Sequence, residues 1–462
     1  MGLKEKMKLT VIGGGGVRSM FLAKSLAQKA NGLGIQEICF MDNDEKKLDI
    51  YGRLAKRVAN AIAPDVNFWL TSDPVASLEG ADYVITTIRV GGDHMRVRDE
   101  RIALSHGVLG QETTGAAGVS FAMRSIPALA EYCEIIKRCA SPRVKVFNFT
   151  NPAGVVSQAL RDMGYGFTYG ICDAPSSMLA QVAHLYGVGL GDIEGECYGL
   201  NHLSFFSSVR IAGREILEEL IEDDRVYSET ELAFFNKGLL REKRCLPNEY
   251  LYYFYYRERA VDNILHAAQT RGELIEELNR KMTAELSEID VDADFNLACK
   301  CFEHWYGMRA DNYMANETGV QRAESWHFDP FGPDDGGYAG VALRYIELKE
   351  TAQDGKMILC VPNGGAIPGL LETDVVEVTC DVEDGICKPH AFEADEVLPG
   401  NLELIRRVKY YERMAARGIV NRCKSDIVEC LEMHPLVNSR SIAEELADQY
   451  IELNRDYIEG WK

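Results

Sequence analysis

Residues suited to metal binding and acid–base chemistry lie close together in the middle of the chain. The thiol Cys172 is followed directly by the carboxylate Asp173, where a predicted strand ends in a turn. Thirty positions on, the imidazole of His202 stands in another glycine-containing, apolar stretch. A thiolate and an imidazole both bind divalent metals, and a neighbouring carboxyl group can act as an acid. We therefore predict a metal held by Cys172 and His202 beside the acid Asp173; the alternative is a buried thiol and a turn carboxylate.

A tyrosine-rich segment offers a candidate base. Residues 250–256 contain five tyrosines, and most of these rings are expected to stack in a helical core. A phenol can also act as a base when a nearby cation lowers its pKa. Arg271 follows this segment and is expected either to supply that cation or to bind an anion.

A glycine turn near the start of the chain predicts a dinucleotide site. A strand-like run over residues 8–12 leads into Gly13-Gly14-Gly15-Gly16-Val17-Arg18-Ser19, and a helical apolar pattern follows. Glycines let the backbone approach a pyrophosphate, and the helix N-terminus offers it free N–H donors. Ser19 stands where a third glycine or alanine is usual.

A carboxylate at the end of the second predicted strand indicates which dinucleotide binds. Asp42 lies there, 23 residues after Ser19, where a carboxylate accepts hydrogen bonds from ribose hydroxyls and repels a 2′-phosphate. This favours NAD over NADP, although a helix cap or a solvated turn is the alternative role. The residues assigned to NAD are Gly13, Gly14, Gly15, Gly16, Val17, Arg18 and Asp42.

Further polar residues are expected at the carboxyl edge of the same parallel sheet, where ligands bind. Arg89 follows a strand predicted over residues 83–87, and Asn151 follows one over 144–149. Asn151 is expected to hydrogen-bond a substrate hydroxyl or the nicotinamide ribose, or to cap the helix that Pro152 begins. Glu112, in a polar loop before a long predicted helix, is also assigned to the substrate.

The charge of the chain limits its partners. A formal net charge of -21 argues against nucleic acid or an anionic membrane, and an anionic substrate would need a local cationic cluster. Arg89, Arg96, Arg98 and Arg101 form such a cluster, although surface ion pairs explain the last two equally well.

Composition and length predict location and architecture. Thirteen scattered cysteines without a CxxC pair, no leader sequence and no apolar run near the roughly 18 residues of a membrane span predict a cytoplasmic protein. At 462 residues, two packed domains are expected: a Rossmann-like NAD-binding domain over 1–200 and an α+β catalytic domain over 201–462. The class is α/β, with a doubly wound parallel sheet. Residues 338–368 are predicted as sheet and tight turns, and the chain from Leu402 as helical.

Eight motifs follow one another along nearly the whole chain. They are Gly13-Gly14-Gly15-Gly16, Arg89-Val90-Gly91-Gly92, Gly110-Gln111-Glu112-Thr113-Thr114-Gly115, Asn151-Pro152-Ala153-Gly154, Cys172-Asp173-Ala174-Pro175, Gly199-Leu200-Asn201-His202, Pro247-Asn248-Glu249-Tyr250 and Pro362-Asn363-Gly364-Gly365-Ala366-Ile367-Pro368. In this order they resemble glycoside hydrolase family 4, the NAD- and metal-dependent glycosidases.

This resemblance implies roles for individual residues. Cys172 and His202 would bind the metal, with Mn²⁺ expected and Zn²⁺ also compatible with these ligands. Tyr250 would be the base and Asp173 the acid, while Arg271 and Arg89 would face the charged substituent of the sugar. The implied reaction on 6-phospho-glycosides is C3 oxidation by NAD, C2 deprotonation, elimination, water addition and re-reduction. The resemblance also implies a homodimer or a homotetramer.

The resemblance points to one linkage and leaves alternatives. An Asp after the metal Cys, with Pro two positions later, is similar to 6-phospho-α-glucosidases, whereas Asn there is typical of 6-phospho-β-glucosidases. Val17-Arg18-Ser19-Met20 and Ala174 depart from the family pattern, so the β-enzyme or another anionic sugar is an alternative. More distant alternatives are an NAD-dependent 2-hydroxy-acid dehydrogenase, with His202 as base and Arg89 as carboxylate ligand, and a non-catalytic NAD sensor.

Overall fold

The computed structural model describes residues 6–320, 325–333, 337–393 and 396–462. Its strands are β1 Met7–Ile12, β2 Ile35–Met41, β3 Asn67–Thr71, β4 Tyr83–Thr86, β5 Lys145–Asn148, β6 Thr168–Gly170, β7 Ile193–Leu200, β8 Leu203–Ile211, β9 Arg214–Glu215, β10 Leu246–Pro247, β11 Gly355–Pro362, β12 Val375–Glu383 and β13 Ile386–Pro389.

Helices account for most of the remaining chain. In the first 200 residues they are α1 Ser19–Leu33, α2 Glu45–Lys47, α3 Arg53–Ile62, α4 Pro74–Leu78, α5 Gly92–Ser105, α6 Gly115–Cys139, α7 Ala153–Asp162 and α8 Ala174–Tyr186. Later come α9 Leu217–Glu222, α10 Val226–Glu229, α11 Lys237–Lys243, α12 Tyr252–Tyr255, α13 Arg257–His266, α14 Arg271–Ser287, α15 Phe295–Asp311, α16 Ala315–Thr318, α17 Gly337–Thr351, α18 Pro399–Asn421, α19 Lys424–Met433 and α20 Arg440–Leu453. None of the helices in the described ranges is long and apolar enough to cross a membrane.

Six parallel strands form the dinucleotide-binding sheet. Their spatial order is β3-β2-β1-β4-β5-β6, which is the doubly wound order with its switch point beside β1. Every residue of β1 and β4 is buried, as expected for central strands covered on both faces. The predicted α/β class with a doubly wound parallel sheet is confirmed.

Strands from the second half of the chain extend this sheet. The strand β11 pairs antiparallel with β6, and β12 and β13 continue outward to give nine strands in all. A separate antiparallel sheet contains β7, β8, β9 and β10. Residues on both sides of position 200 therefore share one sheet, and the division into domains 1–200 and 201–462 stays a prediction.

Helices of the second half also pack against the dinucleotide-binding half. A hydrophobic cluster joins Met20 of α1 and Leu54 of α3 to Met282 of α14 and Phe302 of α15. This packing places α15 over the start of α1, directly after the glycine turn.

One predicted element is wrong. Residues 338–351, predicted as sheet and tight turns, belong to the helix α17, and the strand β11 follows it. Ala342, Tyr345, Ile346 and Leu348 are all fully buried, so α17 is apolar around most of its circumference. An apolar run of this kind resembles a buried strand in sequence.

Candidate active site

A cavity of about 1300 Å³ opens where the parallel strands end. Most of the predicted site residues line it, and these are Gly15, Gly16, Val17, Arg18, Arg89, Glu112, Asn151, Cys172, Asp173, His202, Tyr250 and Arg271. Strand order explains the convergence, because β1, β4, β5 and β6 are neighbours and each is followed by one of these groups.

The glycine turn after β1 is shaped by close contacts. Gly13 has φ +97°, and a Cβ there would lie 2.5 Å from the carbonyl oxygen of Thr87. The Ser19 hydroxyl lies 2.7 Å from the carbonyl oxygens of both Gly14 and Gly16, and it can donate to either one. Ser19 thus ties the helix start to the turn, which explains how serine replaces the usual third glycine.

Asp42 lies behind the turn rather than on the described lining of the cavity. Its Oδ2 accepts a hydrogen bond from Gly15 N at 2.9 Å, and its Oδ1 accepts one from Asp44 N at 3.0 Å. Burial raises the pKa of this carboxyl group, and these two backbone donors oppose the shift. Asp42 therefore supports the glycine turn, and the predicted ribose contact remains an expectation.

Cys172 and Asp173 form the junction between β6 and α8. Burial raises the pKa of the Cys172 thiol well above its ordinary value, and the charges of Glu377 and Asp173 add to this. Without a compensating cation the sulfur is therefore a neutral thiol. Burial also raises the pKa of Asp173, opposed by the Arg18 guanidinium, which suits a group that donates a proton.

His202 lies in the tight turn between β7 and β8, with φ 60°. Its Nδ1 is buried without a hydrogen-bond partner within the described ranges. Burial lowers the pKa of the imidazole from 6.5 to about 3, so the ring is neutral and keeps a free lone pair. An unpartnered nitrogen of this kind fits a metal ligand.

Few side chains around the cavity are arranged to bind a metal. No group of three or more His, Cys, Asp or Glu side chains able to hold a metal occurs among the residues that the structure describes. A metal held by Cys172 and His202 would therefore keep several positions open for substrate oxygens and water.

Tyr250 stacks on His202, with ring centroids 4.1 Å apart and an angle of 20° between the planes. Burial raises the pKa of its phenol, the neighbouring Glu249 raises it further, and a hydrogen bond with Tyr313 lowers it. The phenol is therefore neutral in this structure. It could act as a base only when a cation binds nearby.

Arg89 and Glu112 form a bidentate ion pair at the cavity wall. Arg89 Nη1 bonds Glu112 Oε2, and Arg89 Nη2 lies 3.2 Å from Glu112 Oε1. Arg96 Nη1 lies 3.4 Å from the same carboxylate. Burial raises the pKa of Glu112, but Arg89 and Arg96 outweigh it and hold that pKa below its usual range. Much of the charge of Arg89 is thus already neutralised.

Arg271 has a different environment. Its guanidinium donates to the carbonyl oxygens of Asn312 at 3.1 Å and Arg309 at 2.9 Å, which carry no charge. Burial, followed by the charges of Arg309 and Arg96, lowers the pKa of Arg271 to about 10. A half-buried cation next to other cations is the environment expected for an anion-binding site.

Asn151 faces the cavity without capping α7. Pro152 is the N-cap of that helix, and no side chain makes a cap hydrogen bond to it. The capping alternative is therefore not observed, and the Asn151 amide remains near the cavity for a ligand.

Sequence reasoning missed two cavity residues on α15. Tyr306 and Arg309 lie one turn apart, with the Arg309 guanidinium 5.3 Å from the centre of the Tyr306 ring. Burial raises the pKa of Tyr306, but Arg18 and Arg309 outweigh it and the net shift is downward. The spacing of these residues on one helix face was the available signal, but a face of aromatic and charged residues resembles a solvated surface.

Comparisons with known proteins identify the family. A model described as family 4 glycosyl hydrolase matches residues 8–188, and a model of the C-terminal domain of that family matches 197–437. The chain is 28% identical over 466 residues to a probable 6-phospho-beta-glucosidase of Bacillus subtilis, covering 99% of this chain and 98% of the relative. It is 26% identical over 470 residues to a 6-phospho-alpha-glucosidase of Leptotrichia buccalis, covering 98% and 99%.

A solved structure is similar along the whole chain. It is the 6-phospho-beta glucosidase of Thermotoga maritima with manganese, NAD⁺ and glucose-6-phosphate. The TM-score is 0.81 at 26% identity, and the match covers 98% of this chain and 99% of that one. The resemblance seen in the eight motifs is confirmed, and the chain belongs to family 4 of the glycosyl hydrolases.

Proposed function

We propose that this protein is an NAD- and divalent-metal-dependent glycosidase that hydrolyses 6-phospho-α-glucosides. The observation that carries this proposal is that one cavity is lined by a glycine turn, a Cys–His pair, a half-buried acid, a tyrosine and a cationic cluster. Relatives named for either linkage match almost the full chain, so the family alone leaves the linkage open. Asp173 directly after Cys172 supports the α-linkage.

The residues around the glycine turn fit NAD. The backbone of Gly15 and Gly16 lines the cavity at the start of α1, and Val17 and Arg18 lie beside it. When bound, NAD⁺ supplies a hydride acceptor that later returns the hydride. The Thermotoga maritima enzyme holds NAD⁺.

The Cys172–His202 pair fits a divalent metal, since one partner is a buried thiol and the other a neutral imidazole with a free nitrogen. When bound, a divalent metal supplies a Lewis acid that polarises sugar oxygens. Manganese in the Thermotoga maritima structure supports Mn²⁺ as the metal.

Proton movements fall to Tyr250 and Asp173. Tyr250 takes the proton from C2 of the sugar after C3 has been oxidised, because a ketone at C3 acidifies that proton. Asp173 gives a proton to the departing oxygen, which a half-buried carboxylic acid with a raised pKa can do. Water then adds across C1 and C2, with its hydroxyl going to the anomeric carbon and a proton returning to C2.

Arg271 is the residue we assign to the 6-phosphate. Among the described residues its guanidinium hydrogen-bonds only carbonyl oxygens, whereas that of Arg89 is paired with Glu112. Arg89 and Glu112 form the wall of the sugar site, and Asn151 offers an amide to a sugar hydroxyl.

Assay with chromogenic glucoside 6-phosphates of both linkages tests the proposal, with NAD⁺, Mn²⁺ and a thiol reductant present. Aglycone release from the α-substrate, much faster than from the β-substrate, is expected. Faster release from the β-substrate would transfer the assignment to a 6-phospho-β-glucosidase. Lasting NADH accumulation with a 2-hydroxy acid, without release from either glycoside, would instead show a dehydrogenase.

Two further proposals concern the setting of the protein. All thirteen cysteines are free thiols, which supports a reducing compartment such as the cytoplasm. A homodimer or homotetramer is proposed from the family resemblance, and light scattering of the purified protein measures it.

A further inference from the structure

A buried carboxylate lies behind the Cys–His pair. Glu377 of β12 is only 1% exposed. Its Oε1 accepts hydrogen bonds from Asn201 Nδ2 at 3.1 Å and Cys360 Sγ at 3.7 Å, and its Oε2 accepts one from Ser204 Oγ at 2.7 Å. Burial raises the pKa of Glu377 to about 7, and these three donors oppose the shift by favouring the ionised form. Within the described ranges, its three hydrogen-bond partners are all uncharged groups.

A buried carboxylate without a cation is costly, so its position calls for an explanation. Replacing it by an apolar residue would be tolerated if packing were its only role. The observed arrangement therefore indicates that its charge or its hydrogen bonds are used.

Glu377 contacts the chain segments that position Cys172 and His202. On one side it holds Asn201, the residue directly before His202 in the tight turn between β7 and β8. On the other side it holds Cys360, which pairs with Gly170, two positions before Cys172. Its charge also acts on the Cys172 sulfur. One side chain thus joins the two chain segments that bring the thiol and the imidazole to the cavity.

We propose that Glu377 is a positioning residue for the divalent metal: it holds the His202 turn against the strand leading to Cys172 and supplies outer negative charge. A neutral imidazole and one thiolate leave a divalent cation with one uncompensated positive charge. The Glu377 carboxylate supplies the second negative charge without being a ligand. Such outer partners orient the ligands of a metal and strengthen its binding. This inference rests on the proposed function, specifically on Cys172 and His202 being the ligands.

The competing explanation is that Glu377 only joins the two sheets. Thr379, two residues further along β12, provides a matched control. Its hydroxyl accepts a hydrogen bond from Cys197 N at 2.9 Å and donates one to Gly195 O at 3.0 Å. Thr379→Val removes a bridge between the same strand and the same hairpin, but away from the turn that carries His202.

The test measures Mn²⁺ binding to the NAD⁺-loaded protein through the electron paramagnetic resonance signal of free Mn²⁺. Glu377→Gln keeps the shape and removes the charge, and we expect its Mn²⁺ dissociation constant to rise by about 10- to 100-fold. Thr379→Val should change it by less than about two-fold. The affinity for NAD⁺ should stay within about two-fold of the wild type in both variants.

Asn201→Ala removes the hydrogen bond between Asn201 and Glu377 but keeps the carboxylate. It is the alternative variant for this test if Glu377→Gln does not fold. We expect it to weaken Mn²⁺ binding by about 10-fold. Wild-type Mn²⁺ affinity in Glu377→Gln, or in Asn201→Ala when Glu377→Gln does not fold, would overturn the inference. A parallel loss of Mn²⁺ and NAD⁺ affinity would overturn it too, because it would show a general structural role.

Cys172→Ser separates this inference from the proposed function. Abolished Mn²⁺ binding in Cys172→Ser, together with unchanged binding in Glu377→Gln, would reject Glu377 and leave the metal site standing. Unchanged Mn²⁺ binding in Cys172→Ser would reject the ligand assignment itself, and the role of Glu377 with it.

Discussion

Replacing Arg271 by Met is expected to remove most of the preference for phosphorylated substrates. The change keeps the apolar stem length and deletes a guanidinium that donates only to the carbonyl oxygens of Asn312 and Arg309. Among the described residues Arg271 makes no hydrogen bond to a carboxylate, but the buried Glu317 loses the Arg271 charge that lowers its pKa.

The size of the effect follows from the cost of holding this cation. Burial and the charges of Arg309 and Arg96 lower the pKa of Arg271 to about 10, which corresponds to about 3 kcal/mol. Because Arg271 is partly exposed to the cavity, solvent screening reduces this to about 2 kcal/mol. A phosphate that offsets this cost gains a similar amount, which is about 30-fold in kcat/KM.

The assay compares a glucoside 6-phosphate with the same glucoside lacking phosphate. In Arg271→Met, kcat/KM for the phosphorylated substrate should fall by at least about 30-fold, and that for the other by less than about three-fold. Arg101→Met is the matched control, because Arg101 is exposed and pairs with Glu273 outside the cavity. Equal losses on both substrates, or an equal loss in the control, would refute the phosphate assignment.

Three further predictions concern the metal ligand, the glycine turn and a buried histidine. Cys172→Ser should abolish metal-dependent aglycone release while NAD⁺ affinity, measured by calorimetry, stays within about two-fold; unchanged turnover would point to a non-catalytic role for this thiol. Gly13→Ala should weaken NAD⁺ binding and lower stability by about 1–3 kcal/mol, since its Cβ would lie 2.5 Å from the Thr87 carbonyl oxygen at φ +97°; a wild-type urea midpoint would contradict this. Burial lowers the pKa of His434 from 6.5 to about 3, so below pH 6.5 this histidine is protonated in the unfolded chain but not in the folded one. The free energy of unfolding therefore decreases as the pH is lowered below 6.5. Between pH 7 and pH 5 the wild type should lose about 2 kcal/mol more unfolding free energy than His434→Gln, and equal losses would exclude this linkage.

The placement of the site was predictable where one local rule applied to several strands. Gly15, Arg89, Asn151 and Cys172 each follow a parallel strand, and ends of neighbouring parallel strands meet at one edge. Recognising the strands was enough to bring these residues together.

Residues that depend on packing between distant segments were not predictable in this way. Glu377 lies in a β-strand whose contacts with Asn201 and Ser204 span more than 170 residues of sequence. Arg309 reaches the cavity because α15 packs over α1, a relation without a local sequence signal. The ion pair between Arg89 and Glu112 was likewise not predictable from the sequence, because the two residues are 23 positions apart and on different elements.

The pairing of β6 with β11 also has a consequence for folding during synthesis on the ribosome. About 185 residues separate the end of β6 from the start of β11. At about 5–20 residues per second, β6 pairs with β5 but keeps its other edge open for about 10–40 s during synthesis. An open strand edge invites pairing with other chains. The segment that leads into Cys172 therefore exposes an open strand edge, which a chaperone could cover, until β11 is made.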